Sequence, residues 1–129
     1  MFELEINNEV YQLNFGMGFL REVDKKISTS VDGLPGVKKN IGLNYKIASL
    51  IDGDIEVLEE VLDTANKGQK PRLTKQILDD YIEDEDTDID ELFERVLDFL
   101  KSANVTKRAT RELMEEAEKR KAEAEKEQA

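Results

Sequence analysis

A chain of 129 residues, 39% hydrophobic and 38% charged, suffices for one domain with a modest core plus an appendage. It contains neither cysteine nor histidine and carries a formal net charge of −11. Disulfides, thiolate chemistry and histidine acid–base or metal chemistry are therefore excluded, and the charge opposes the phosphate attraction on which nucleic-acid binding depends.

The chain opens with strict alternation. Phe2, Leu4 and Ile6 fall on one side and Glu3 and Glu5 on the other, Asn7-Asn8 can turn the chain, and Tyr11, Leu13 and Phe15 resume the period of two. This predicts a β-hairpin whose apolar face lies on the helices that follow, since a lone hairpin is marginal in water. The start lacks the basic and long apolar regions of a signal peptide, and no stretch approaches the ~20 apolar residues of a membrane helix. A soluble chain in a reducing cytoplasm, with no membrane partner, is expected.

Gly16-Met17-Gly18 ends the strand as a tight turn; it lacks the spacing of a phosphate-binding loop. Phe19, Leu20, Val23 and Ile27 recur at helical spacing, Asp32-Gly33-Leu34-Pro35-Gly36 reads as a loop, and a second helix covers part of Val37 to Ile51. Gly42 weakens that helix if it lies inside it. Asp54 caps a third helix whose stripe is Leu58, Val61, Leu62 and Ala65, ending near Asn66-Lys67-Gly68. Thr74 caps a short helix through Ile77, Leu78 and Tyr81.

The last core helix carries the clearest local signature. Asp88-Ile89-Asp90-Glu91 is a capping box with aspartate at the cap, and its acids complement the positive helix end. Ile89, Leu92, Phe93, Val96, Leu97 and Leu100 form a wide apolar face, with Phe93 expected to be the most damaging residue to truncate. From Thr106 to Ala129 the composition changes: 14 of 24 residues are charged, seven of each sign, and Leu113 and Met114 are the only large apolar groups. The expected organisation is a domain over 1–105 and a charged, frayed helical or disordered tail over 106–129, dispensable for folding. The fold class is α+β, mainly α: an N-terminal β-hairpin packed on a compact helical domain with a charged C-terminal helix or tail.

Charge is concentrated in one place. Between Asp79 and Asp98 lie eleven acidic side chains and one basic one, Arg95, so a local −10 accounts for nearly all of the total. Asp84, Asp86 and Asp88 stand at offsets 1, 3 and 5 of a calcium loop, but Ile89 replaces the glycine at 6 and Arg95 the glutamate at 12. The run is a solvated face or a partner surface. Neighbouring carboxylates such as Glu59/Glu60 and Asp79/Asp80 are normally hydrated and face no common substrate, so no catalytic or cofactor-binding residue is assigned. The basic residues Lys38, Lys39, Lys67, Lys70, Arg72 and Lys75 form small patches without aromatic interleaving, which argues against nucleic acid. Tyr11, Phe15, Met17 and Phe19 belong to the core or to an exposed adhesive patch. Together with Glu83, Asp84, Glu85 and Asp86 they are the candidate partner-binding residues.

The order of elements resembles the tail assembly chaperones of long, non-contractile-tailed bacteriophages or prophages of Gram-positive bacteria. The resemblance rests on Glu9-Val10-Tyr11-Gln12-Leu13-Asn14-Phe15-Gly16-Met17-Gly18-Phe19-Leu20-Arg21-Glu22-Val23-Asp24 and on Ala48-Ser49-Leu50-Ile51-Asp52-Gly53-Asp54 through Leu58 and Leu62. It continues with Leu73-Thr74 leading to Leu78-Asp79-Asp80-Tyr81-Ile82, and with Asp90-Glu91-Leu92-Phe93 to Leu100, covering about residues 1–105. The resemblance implies a non-enzymatic factor without cofactors that coats the tape measure protein, keeps it soluble and helps recruit tube subunits of the major tail protein before release. It also implies self-association into a homo-oligomer, action in the host cytoplasm and absence from the mature virion. Two other readings remain: an acidic protein-binding adaptor or DNA-mimic inhibitor, and a carboxylate-based metal-dependent enzyme.

Overall fold

The computed structural model describes residues 1–25, 28–30 and 38–128. Strands β1 (Phe2–Ile6) and β2 (Glu9–Leu13) pair antiparallel, with Phe2 opposite Leu13 and Ile6 opposite Glu9. Asn7 and Asn8 both adopt positive φ, 51° and 65°, as a two-residue turn of the I′ kind requires. The pleat then sends Phe2, Leu4, Ile6, Tyr11 and Leu13 to one face, where all are buried. The expected hairpin is present and packed on a helical layer.

Helix α1 (Met17–Asp24) buries Phe19 and Val23. A second, separate pair of short strands, β3 (Ser28–Ser30) and β4 (Lys38–Asn40), follows. Sequence reasoning missed it because Ser-Thr-Ser lacks the apolar alternation that marked the first hairpin. Ile27 and the expected loop at Asp32–Gly36 lie outside the described residues. Helix α2 (Gly42–Ile51) starts later than its widest sequence limit, and Gly42 is its first residue, not an interior one. There the chain touches the end of α1: a Cβ on Gly42 would collide with the Val23 carbonyl. Asp24 Oδ1 accepts from the Leu43 N–H at 3.0 Å, so α1 supplies the cap that Ile41 cannot.

Three predicted caps are observed. Asp54 accepts from the Val57 N–H at the start of α3 (Ile55–Asn66), Thr74 from Ile77 at α4 (Lys75–Glu83), and Asp88 from Glu91 at α5 (Ile89–Ser102). Within α5 the fully buried residues are Leu92, Val96 and Leu100. Phe93 is only half-buried, so the largest truncation penalty moves from Phe93 to these three. Arg95, the one cation of the acidic run, lies with its guanidinium 5.0 Å from the Phe2 ring centroid and donates to the Glu3 carbonyl at 3.2 Å. It clamps α5 to the edge of the hairpin.

Helix α6 spans Lys107–Gln128 and packs on α2 and α5. The expected division at 105/106 falls inside this packing. Thr106 and Thr110 are fully buried, with Ala109 and Leu113 against the core. Composition concealed this because the two threonines satisfy their own hydroxyls: Thr106 donates to the Leu100 carbonyl at 2.7 Å and Thr110 to that of Thr106 at 2.8 Å. From Glu118 to Glu127 every residue is exposed. This projecting part is the solvated helix that the charge pattern predicts.

Candidate partner-binding surface

The four candidate apolar residues separate. Tyr11, Phe15 and Phe19 are buried, and Phe15 stacks edge-on with Phe2 and Phe19 at centroid distances of 6.2 and 5.0 Å. These three serve as core and form no adhesive patch. Met17, 49% exposed, is the one that reaches solvent. Phe19 also walls a cleft of about 300 Å³ beside Glu22 and Lys67, which pair at 3.2 Å. The Lys67 and Lys25 ammonium groups hold the Glu22 carboxyl below the usual carboxylate range.

The four candidate acids are all exposed and lie in two places. Asp84, Glu85 and Asp86 occupy the turn from α4 to α5, where Asp84 Oδ1 accepts from the Asp86 N–H at 2.9 Å. Glu83 ends α4 and faces elsewhere, into a groove of about 600 Å³ between α3 and α4.

This groove is lined by residues of both helices. Its floor is Ile55, Leu78 and Ile82, and Ile55 is 47% exposed. The α3 wall carries Glu56, Glu59, Glu60 and Asp63, spaced i, i+3, i+4 and i+7 and therefore on one helix face. The α4 wall carries Lys75, Asp79 and Glu83. At the rim Lys46 of α2 pairs with Glu60, and Arg72 pairs with Asp63 at 3.0 Å. Glu56, Glu59, Asp79 and Glu83 have no ion-pair partner among the described residues.

Two of these carboxylates, Glu59 of α3 and Asp79 of α4, influence each other across the groove. Burial pushes the Glu59 carboxyl up to about 7; its hydrogen bond with Asp79 and the charges of Asp79 and Asp63 add to the rise, while Lys75 opposes it. Sequence reasoning paired Glu59 with Glu60 and Asp79 with Asp80 as hydrated neighbours. The relevant pair instead joins residues 20 apart in sequence, one from each helix. The available signal was the acidic stripe 56/59/60/63 lying beside the apolar stripe of the same helix.

Among the described residues no group of side chains is arranged to hold a metal ion, and no helix is long and apolar enough to cross a membrane. Fold and surface together define a small, acidic, mainly helical protein with an acid-walled groove between α3 and α4. No curated protein and no solved structure gives a significant match to it. A family description does: the chain belongs to the phage tail assembly chaperone proteins, TAC, whose family model matches residues 3–115. Its role is therefore that of a chaperone in phage tail assembly. The match runs past residue 105 into α6, in keeping with the packing of that helix's first turns.

Proposed function

We propose that this protein coats the tape measure protein of a long, non-contractile-tailed phage or prophage of a Gram-positive host. It acts in the host cytoplasm, keeps the helical rod soluble, helps recruit tube subunits of the major tail protein, and is released before the virion is complete. The observation that carries this reading is the family match over nearly the whole folded chain. Physical chemistry supports it. An unassembled rod exposes apolar helical surface and aggregates, whereas a coat of net charge −11 gives coated particles mutual repulsion. Modest affinity suits a coat that tube subunits displace by competition, and self-association lets successive copies line a long client. Co-expression with the tape measure protein from the same genome tests the reading. A rod that moves from the pellet to the soluble fraction with this chain bound supports it, and a rod left insoluble and unbound contradicts it.

A further inference from the structure

We propose that the α3–α4 groove is a docking site for a basic amphipathic helix, with aliphatic side chains on Ile55, Leu78 and Ile82 and Lys or Arg side chains between the acidic walls. The assignment of that helix to the tape measure protein rests on the function proposed above; the chemistry of the groove stands apart from it. Three observations support it. The groove has an apolar floor that remains partly open, since Ile55 is 47% exposed at its mouth. Its charge is one-sided, six carboxylates against Lys75, and four of the six have no ion-pair partner among the described residues. Its length also fits. From Glu56 to Asp63 α3 advances two turns, about 10 Å, enough to hold an i, i+3, i+4, i+7 set of a partner helix.

Charge complementarity decides the occupant. An acidic or neutral helix would leave the Glu59–Asp79 pair desolvated beside more negative charge or none. A lysine or arginine there adds to Lys75 a cation that can pair with carboxylates left without an ion-pair partner among the described residues.

The test is fluorescence anisotropy with the full-length protein and a labelled synthetic 18-residue peptide carrying leucines at i, i+3, i+4 and i+7 flanked by lysines. Its control has glutamate at every lysine position. The proposal expects the lysine peptide to bind at least tenfold tighter than the control, and to lose tenfold or more in the Glu59→Gln/Asp79→Asn double variant. Ile55→Ser, at a position already exposed, should weaken binding several-fold without unfolding the chain. Equal affinity for the two peptides, or undiminished binding by the double variant, overturns the proposal. So does a double variant that alters self-association in sedimentation while its peptide affinity is unchanged, for the occupant is then a second copy of this chain. A rod kept equally soluble by wild type and double variant overturns the groove assignment and leaves the chaperone reading standing. A rod left unbound by wild type, with charge-selective peptide binding intact, overturns the chaperone reading and sustains the groove.

Discussion

The Asn66 side chain, at the end of α3, donates from Nδ2 to the Gln12 carbonyl of β2 at 3.0 Å and so ties the hairpin to the helical layer across 54 residues of chain. The same side chain accepts through Oδ1 from the Leu73 N–H at 2.6 Å and from Arg72 at 3.0 Å. Its amide thus fixes hairpin, helix and the segment entering α4 in one buried knot. Asn66→Ala should cost about 2–4 kcal/mol, because a buried N–H and a carbonyl lose partners in addition to the bonds themselves. Urea unfolding followed by circular dichroism measures it; a loss below about 1 kcal/mol would show that water replaces the amide.

Gly42→Ala gives a second stability test, opposite in sign to what helix propensity suggests. Alanine inside a helix is favoured over glycine by about 1 kcal/mol. At Gly42 the new Cβ meets the Val23 carbonyl, which is backbone and cannot rotate aside. A net destabilisation of about 1–3 kcal/mol is expected. A variant as stable as the parent would mean that α1 and α2 separate without cost.

The C-terminal helix divides by burial. Removing residues 118–129 should leave the thermal midpoint unchanged, because the segment from Glu118 to Glu127 is exposed throughout. Removing residues 106–129 should lower stability by more than about 2 kcal/mol, since Thr106, Ala109, Thr110 and Leu113 leave the core and uncover α2 and α5. Matched truncations compared by calorimetry decide it. Equal midpoints for both would contradict the packing of α6.

What the sequence makes legible here is local, and what it hides is not. The hairpin follows from alternation around Asn7-Asn8, and the caps at Asp54, Thr74 and Asp88 follow from side chains that reach N–H groups three residues away. Asn66 reads as a helix end because its partners, Gln12 and Leu73, belong to other segments. Thr106 and Thr110 read as polar tail because a hydroxyl bonded to a backbone carbonyl, of Leu100 and of Thr106 respectively, is invisible to any hydrophobic count. The Glu59–Asp79 pair exists only once α3 and α4 are folded side by side, whereas the acidic run that dominates the sequence is divided among α4, the turn that follows it and α5, and only Asp79 and Glu83 of it line the groove.

Glu59 should also write a pH dependence into stability. Its carboxyl titrates at 4.5 ordinarily and at about 7 in the folded chain, so the native state holds a proton that the unfolded state releases across that window. The stabilisation is complete below pH 4.5 and is lost as pH rises towards 7. Glu59→Gln keeps a donor for Asp79 and removes the titration. Relative to wild type the variant should gain stability between pH 5 and pH 8, measured as the difference in thermal midpoint. A difference that does not change over that range would mean that Glu59 is ionised throughout.

The copy number on the client tests the coat directly. The tape measure protein is co-expressed with this chain, the soluble complex is purified, and its mass is measured by analytical ultracentrifugation before and after addition of tube subunits. A coating chaperone gives many copies per rod, a number that grows with rod length in lengthened variants, and loses them as tube subunits polymerise. One or two copies per rod regardless of length, or copies retained along a completed tube, would contradict the account.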